Sequence, residues 1–246
     1  MIIQQHAEDL TTVTGTMRTY IYRPVAEGRY PAIIFYSEIF QQTAPIARTA
    51  AIMAGHGFIV LVPEVFHELN PIGTVLGYDD TGKDKGNSDK FTKPLADHDT
   101  DTQAMLSFLQ QQDNYSGQCG SMGVCLGGHL AFRAALNTAI SSACCLYATD
   151  LHSNTLPAPD AEQTLPRASE INGELMMIWG RQDPHVPDDS RARINQRLRE
   201  ANCTFTWHEF NGQHAFMRDE GERYDPELAL TCYRLAVDLF RRTLTG

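Results

Sequence analysis

No stretch of this chain approaches the ~18 to 20 consecutive apolar residues that a membrane-spanning helix needs. The N-terminus, Met1 to Asp9, has neither a basic leader nor a long apolar segment, so no secretory signal is expected. The six cysteines, at 119, 125, 144, 145, 203 and 232, form no CxxC pair and no short disulfide framework. They are expected to be reduced and mostly small buried hydrophobes, which places the chain in the cytoplasm. Basic stripes and polybasic tails are also lacking. The 20 Lys and Arg are outnumbered by 30 Asp and Glu, for a formal net charge of -10. That balance argues against nucleic acid and anionic membranes as partners. An anionic small molecule stays compatible, because a few local cations outweigh a distant net charge. No Ser/Gly/Pro linker, internal repeat or low-complexity segment divides the 246 residues, so one large α/β domain is expected.

What is present is an alternation of apolar runs and helical patterns, which predicts a mostly parallel sheet covered by helices on both faces. Thr16 to Tyr22 alternates like an antiparallel edge strand. Pro31 to Ser37, Phe58 to Val62, Cys119 to Val124, Ala143 to Tyr147 and Leu175 to Trp179 read as buried strands, and Thr204 to Phe210 as an alternating one. Helices are expected over 45–54, 97–112, 130–136 and 188–200. Asp225-Pro226 caps a last amphipathic helix to Leu244. Residues 66–96 are rich in Gly, Asp, Lys and Asn with little periodicity, and are expected to form a long, lid-like loop.

The run Gly123-Val124-Cys125-Leu126-Gly127-Gly128 has the form G-x-C-x-G between an expected strand and an expected helix. With serine at its centre, this form is the nucleophile elbow of α/β-hydrolases, a tight turn that holds the central residue out above the sheet. Here the central residue is Cys125. A thiolate is a strong nucleophile, and a helix N-terminus favours it. The α/β-hydrolase fold is therefore expected, with an acid and then a histidine following the elbow in chain order. Asp183 lies just past the Leu175–Trp179 strand, and His214 just past the next strand. Strand ends on one edge of an open α/β sheet are where catalytic groups collect. Triad logic gives His214 the thiol proton and gives Asp183 the orientation of His214. His185 shares the Asp183 loop, His208 lies inside a strand as an expected packing residue, and His67, His98 and His152 lack an elbow-like context, His67 alone of the three being a candidate to border the pocket.

Two backbone donors are expected to stabilise an oxyanion: the N–H of Leu126, directly after Cys125, and that of Ile39, in the loop after Pro31–Ser37. Glu38, in the same loop, is expected close to Cys125. A carboxylate there disfavours the thiolate and restrains the resting nucleophile.

Taken together, Tyr36-Ser37-Glu38-Ile39-Phe40, Val62-Pro63-Glu64-Val65-Phe66, the Cys125 elbow, Trp179-Gly180-Arg181-Gln182-Asp183 and Gly212-Gln213-His214-Ala215-Phe216 resemble the dienelactone hydrolase (carboxymethylenebutenolidase) family. The resemblance runs from about residue 15 to 244. It implies a Cys125-His214-Asp183 triad restrained by Glu38, acting on a lactone or enol ester without metal or organic cofactor. In founding members arginines bind the substrate carboxylate. One of them, four residues beyond the catalytic histidine, corresponds to Arg218. The other carboxylate-binding groups fall in 66–96, where this chain departs from the pattern. It has no arginine between Arg48 and Arg133, and only Lys83, Lys85, Lys90 and Lys93 as cations in the segment. Lysine is a point charge rather than a bidentate fork. Two other readings stay open: a broader carboxylesterase or thioesterase, and a catalytically silent scaffold that binds a ligand.

Overall fold

The computed structural model describes residues 1–245. The chain opens with a hairpin, β1 (Ile3–Thr12) and β2 (Gly15–Pro24), and continues through β3 (Tyr30–Tyr36), α1 (Ala44–Gly55) and β4 (Ile59–Pro63). Two helices follow, α2 (Asp80–Lys90) and α3 (Leu95–Gln110), then β5 (Tyr115–Val124), α4 (Leu126–Ala134) and β6 (Ile140–Leu146). The chain ends with β7 (Glu174–Gly180), α5 (Asp188–Glu200), β8 (Phe205–Phe210) and α6 (Pro226–Leu244). The strands form one eight-stranded sheet in the order β1-β2-β4-β3-β5-β6-β7-β8. Only the β1/β2 and β2/β4 pairs are antiparallel. This is the α/β-hydrolase architecture expected from the sequence.

The central strands are apolar on both sides because both sides are covered. Ile33 and Phe35 of β3 pack with Ile46 and Met53 of α1 and Phe240 of α6. Their neighbours Ala32, Ile34 and Tyr36 point the other way, into a core with Met105, Leu130 and Ile194 of α3, α4 and α5. Each such aliphatic or aromatic side chain contributes about 1.5–3 kcal/mol on burial. In parallel register Tyr36 pairs with Gly123, Val124 with Leu146, and Gly180 with Phe210. The C-terminal ends of β3, β5, β7 and β8 therefore meet at one edge, and residues 38, 125, 183 and 214 all follow those ends.

Two expectations are corrected. The Thr16–Tyr22 strand lies within β2, which is not the sheet's edge, because β1 pairs with it over ten residues. β1 is largely exposed and mostly polar, so it has no apolar run to betray it. The 66–96 stretch is not loop throughout, because Asp80–Lys90 forms α2. That helix buries only Gly82, Gly86 and Asp89 and so has no apolar stripe to read. Its signal is local instead: the Asp79 carboxylate accepts the Gly82 N–H at 2.7 Å as an N-cap. Among the described residues, no helix is long and apolar enough to cross a membrane.

Candidate active site

Cys125 sits between β5 and α4 with φ 59° and ψ -123°, a conformation unusual for any non-glycine residue. The turn is held from three sides. The Cys125 N–H donates to the Leu146 carbonyl at 3.1 Å, and its own carbonyl accepts from the N–H groups of Gly128 (3.0 Å) and Thr149 (3.2 Å). The flanking glycines are required by close approach. A Cβ on Gly123 would collide with the Gly127 carbonyl, and one on Gly127 with the carbonyls of Tyr36 and Ser37. Gly127→Ala is therefore expected to cost at least ~3 kcal/mol of stability, the upper range for overpacking. Urea unfolding checks this, and an unchanged midpoint would contradict it.

His214 and Asp183 are brought together from the β8 and β7 ends. The His214 Nδ1–H donates to Asp183 Oδ2 at 2.7 Å, and the other carboxylate oxygen accepts the His185 backbone N–H at 2.8 Å. Both side chains are almost fully buried. Burial pushes the Asp183 carboxyl up, but the hydrogen bond and charge of His214 and the His185 N–H outweigh it and hold the group below its ordinary value. For His214, burial pulls down. The interaction with Cys125 and the hydrogen bond to Asp183 prevail and lift the imidazole to about 10. Cys125 and His214 thus form an interacting pair at one pocket, with Asp183 behind.

Glu38 is 3% exposed. Burial raises its carboxyl above the ordinary range against the opposing charges of Arg218 and His214. Its Oε2 lies 3.7 Å from Arg218 Nη1, an ion-pair distance too long for a hydrogen bond, and has no hydrogen-bond partner. Arg218 also lies over the ring of Tyr78 at 4.2 Å and at 6.0 Å from Phe40. Tyr78 in turn shares a 2.7 Å hydrogen bond with the Thr43 hydroxyl. Among the described residues, neither Ile39 nor Leu126 commits its N–H to another group, and Ile39 lines the pocket beside Cys125.

The pocket above Cys125 has a volume of about 720 Å³. Cys125, His214, Glu38 and Arg218 line it together, α2 contributes Lys83 and Lys90, and the segment after β6 contributes Asp150 and His152. Lys90 is spoken for by Asp150 at 3.0 Å. Lys85 pairs with Asp89, and Lys93 is buried between Glu68 (2.8 Å) and Asp101 (2.6 Å), so neither lines the pocket. His67 belongs to that buried cluster, 3.1 Å from Asp101, and does not border the pocket as expected. His208 stacks on Phe210, two residues along its own strand. Sequence reasoning missed Tyr78, Asp150 and Arg223 as pocket residues. Tyr78 immediately precedes the Asp79 cap, the one local clue that this stretch is ordered.

The model of the dienelactone hydrolase family matches residues 17–244. The chain belongs to the dienelactone hydrolase family. It is thereby a hydrolase of the carboxylic ester and lactone type. It is 37% identical to the Saccharomyces cerevisiae protein named "Putative carboxymethylenebutenolidase", over 99% of this chain and 93% of that one. It is 24% identical to the carboxymethylenebutenolidase of Pseudomonas sp. strain P51, over 88% and 87%. A crystal structure titled "Putative Dienelactone Hydrolase", from Klebsiella pneumoniae, superposes with TM-score 0.84 at 21% identity, covering 98% of this chain and all of that one. That likeness bears on the fold. The G-x-C-x-G turn and the residues after β3, β7 and β8 are this dienelactone hydrolase family member's own set of groups at the common sheet edge.

Proposed function

We propose that the protein hydrolyses a small lactone or enol ester through a Cys125-His214-Asp183 triad. The observation that carries this reading is the positive-φ Cys125 sharing one pocket with a His214 that is hydrogen-bonded to Asp183 at 2.7 Å. His214 holds the Cys125 proton, and the thiolate attacks the ester carbonyl carbon. The oxyanion is met by the N–H groups of Leu126 and Ile39. As the C–O bond breaks, the leaving oxygen takes the proton from His214, and a thioester on Cys125 remains. Water then attacks the thioester. His214 takes one water proton, the C–S bond breaks, and the acid leaves with the thiolate restored. In a lactone the leaving oxygen stays part of the same product. Neither a metal nor an organic cofactor enters these steps. The six unpaired cysteines support a reducing compartment, the cytoplasm.

Alkylation tests the reading. Iodoacetamide should inactivate the enzyme in step with labelling of the Cys125 peptide, and a saturating lactone substrate should slow both. Activity that survives complete labelling of Cys125 would overturn it. Glu38 supplies a second test. Its charge opposes the thiolate, so Glu38→Gln should speed alkylation of the resting enzyme, by about 10-fold for each pKa unit released. An unchanged or slower rate would remove Glu38 from the control of Cys125.

Arg218 is proposed to recognise an anionic group of the substrate. Arg218→Ala should then slow an anionic ester by at least ~10-fold more than its neutral methyl ester, a charge-assisted contact of about 1.5 kcal/mol or more. Equal losses on both would refute that role. The pairing of Lys90 with Asp150 and the absence of arginine from 66–96 favour, as a second reading, a broader carboxylesterase or thioesterase specificity.

A further inference from the structure

His185 touches His214 yet has no part in the chemistry above. The two imidazole rings meet edge to face, with centroids 4.6 Å apart and planes at 67°. Tyr147 makes a second contact of the same kind at 5.2 Å and 69°. Such T-shaped pairs are attractive and directional. Tyr147 is 1% exposed and presses from the protein interior, whereas His185 is exposed and lines the pocket. The His185 backbone N–H also holds the Asp183 oxygen that His214 does not use, at 2.8 Å. One residue thus steadies both the acid and, through its ring, the base.

We propose that His185 is a positioning residue that holds the pocket side of the His214 ring, so that the imidazole stays aligned between Asp183 and Cys125. The proposal rests on the reading of His214 as the proton carrier. A ring free to tilt would keep its place in the fold but lose its line to Sγ and to the leaving oxygen, and small misalignments of this kind are costly in rate. The groups that face His185 are His214 and Arg223 from the segment after β8, Asp183 from its own loop, and Lys90 from α2. Burial, then the charge of His214, holds the His185 imidazole below the ordinary histidine range. The His185 ring meets the His214 ring edge to face, a contact that a phenyl ring can reproduce and an ammonium cannot.

The test uses the full chain and p-nitrophenyl acetate. His185→Ala should lower kcat by ~10-fold with KM within ~2-fold, at an unfolding midpoint close to that of the unaltered protein. His185→Phe should restore kcat to within ~3-fold, and His185→Lys should not, because it sets a permanent positive charge beside His214. An unchanged kcat in His185→Ala, or His185→Phe no better than alanine, would overturn the proposal. His214→Ala is the control for the reading beneath it. Full turnover in that variant overturns both, whereas loss there with unchanged kcat in His185→Ala overturns the role of His185 alone.

Discussion

Cys125→Ala should lower kcat for a lactone or aryl ester by at least ~10,000-fold and leave the fold intact, because in the proposed mechanism it removes the nucleophile and with it the covalent route. Alanine lacks the thiol but keeps Cβ, so it fits the same turn, and the hydrogen bonds that hold the elbow are made by the backbone of residue 125. Circular dichroism and the unfolding midpoint should therefore match those of the unaltered protein. Four of the other five cysteines are buried and the fifth, Cys203, lies in the loop between α5 and β8, so none can replace it at this pocket. Turnover within ~10-fold of the original would remove the proposed chemistry. If Cys125 and His214 act as a unit, as proposed, Cys125→Ala/His214→Ala should be scarcely slower than Cys125→Ala alone.

Asp183→Asn should cost ~1,000- to 10,000-fold in kcat with little change in KM. The carboxylate accepts from His214 Nδ1 at 2.7 Å, which leaves Nε2 as the nitrogen free to serve Cys125 in the proposed mechanism. An amide at that position can present its NH₂ to Nδ1 and so favour the opposite tautomer, with the proton on the wrong nitrogen. The substitution also removes a charge that supports the imidazolium, and the His214 value of about 10 should fall. The alkylation rate of Cys125 near neutral pH should drop with it. A variant with intact kcat and an intact alkylation profile would show that Asp183 is a structural cap and no more.

The parts of this molecule that could be read from its sequence are those whose cause is local. β3, β4 and β7 are apolar on both faces because helices cover both, and that shows as PAIIFY, IVLVP and LMMIW. The G-x-C-x-G spacing reports a backbone collision that only glycine avoids. Asp183 and His214 could be paired because successive parallel strands deliver their C-terminal ends to one edge. What escaped was decided by distant partners. β1 is a strand because β2 pairs with it, not because its own residues are apolar. α2 is held by its cap and by ion pairs such as Lys90–Asp150, a contact spanning 60 positions. The placing of Arg218 against both Glu38 and Tyr78 joins three segments that no spacing rule relates. The same is true of Lys93 and His67, which pair inside a buried cluster with Asp101 rather than facing the pocket.

The central claim, that Cys125 carries the acyl group, is tested most directly by trapping that group. Acid quench of the enzyme during turnover of a slowly released aryl ester, followed by peptide mass spectrometry, should find the mass of the acyl group on the peptide containing Cys125. The adduct should vanish in Cys125→Ala. Steady turnover with that peptide unmodified, or with the acyl group on another side chain, would contradict the account.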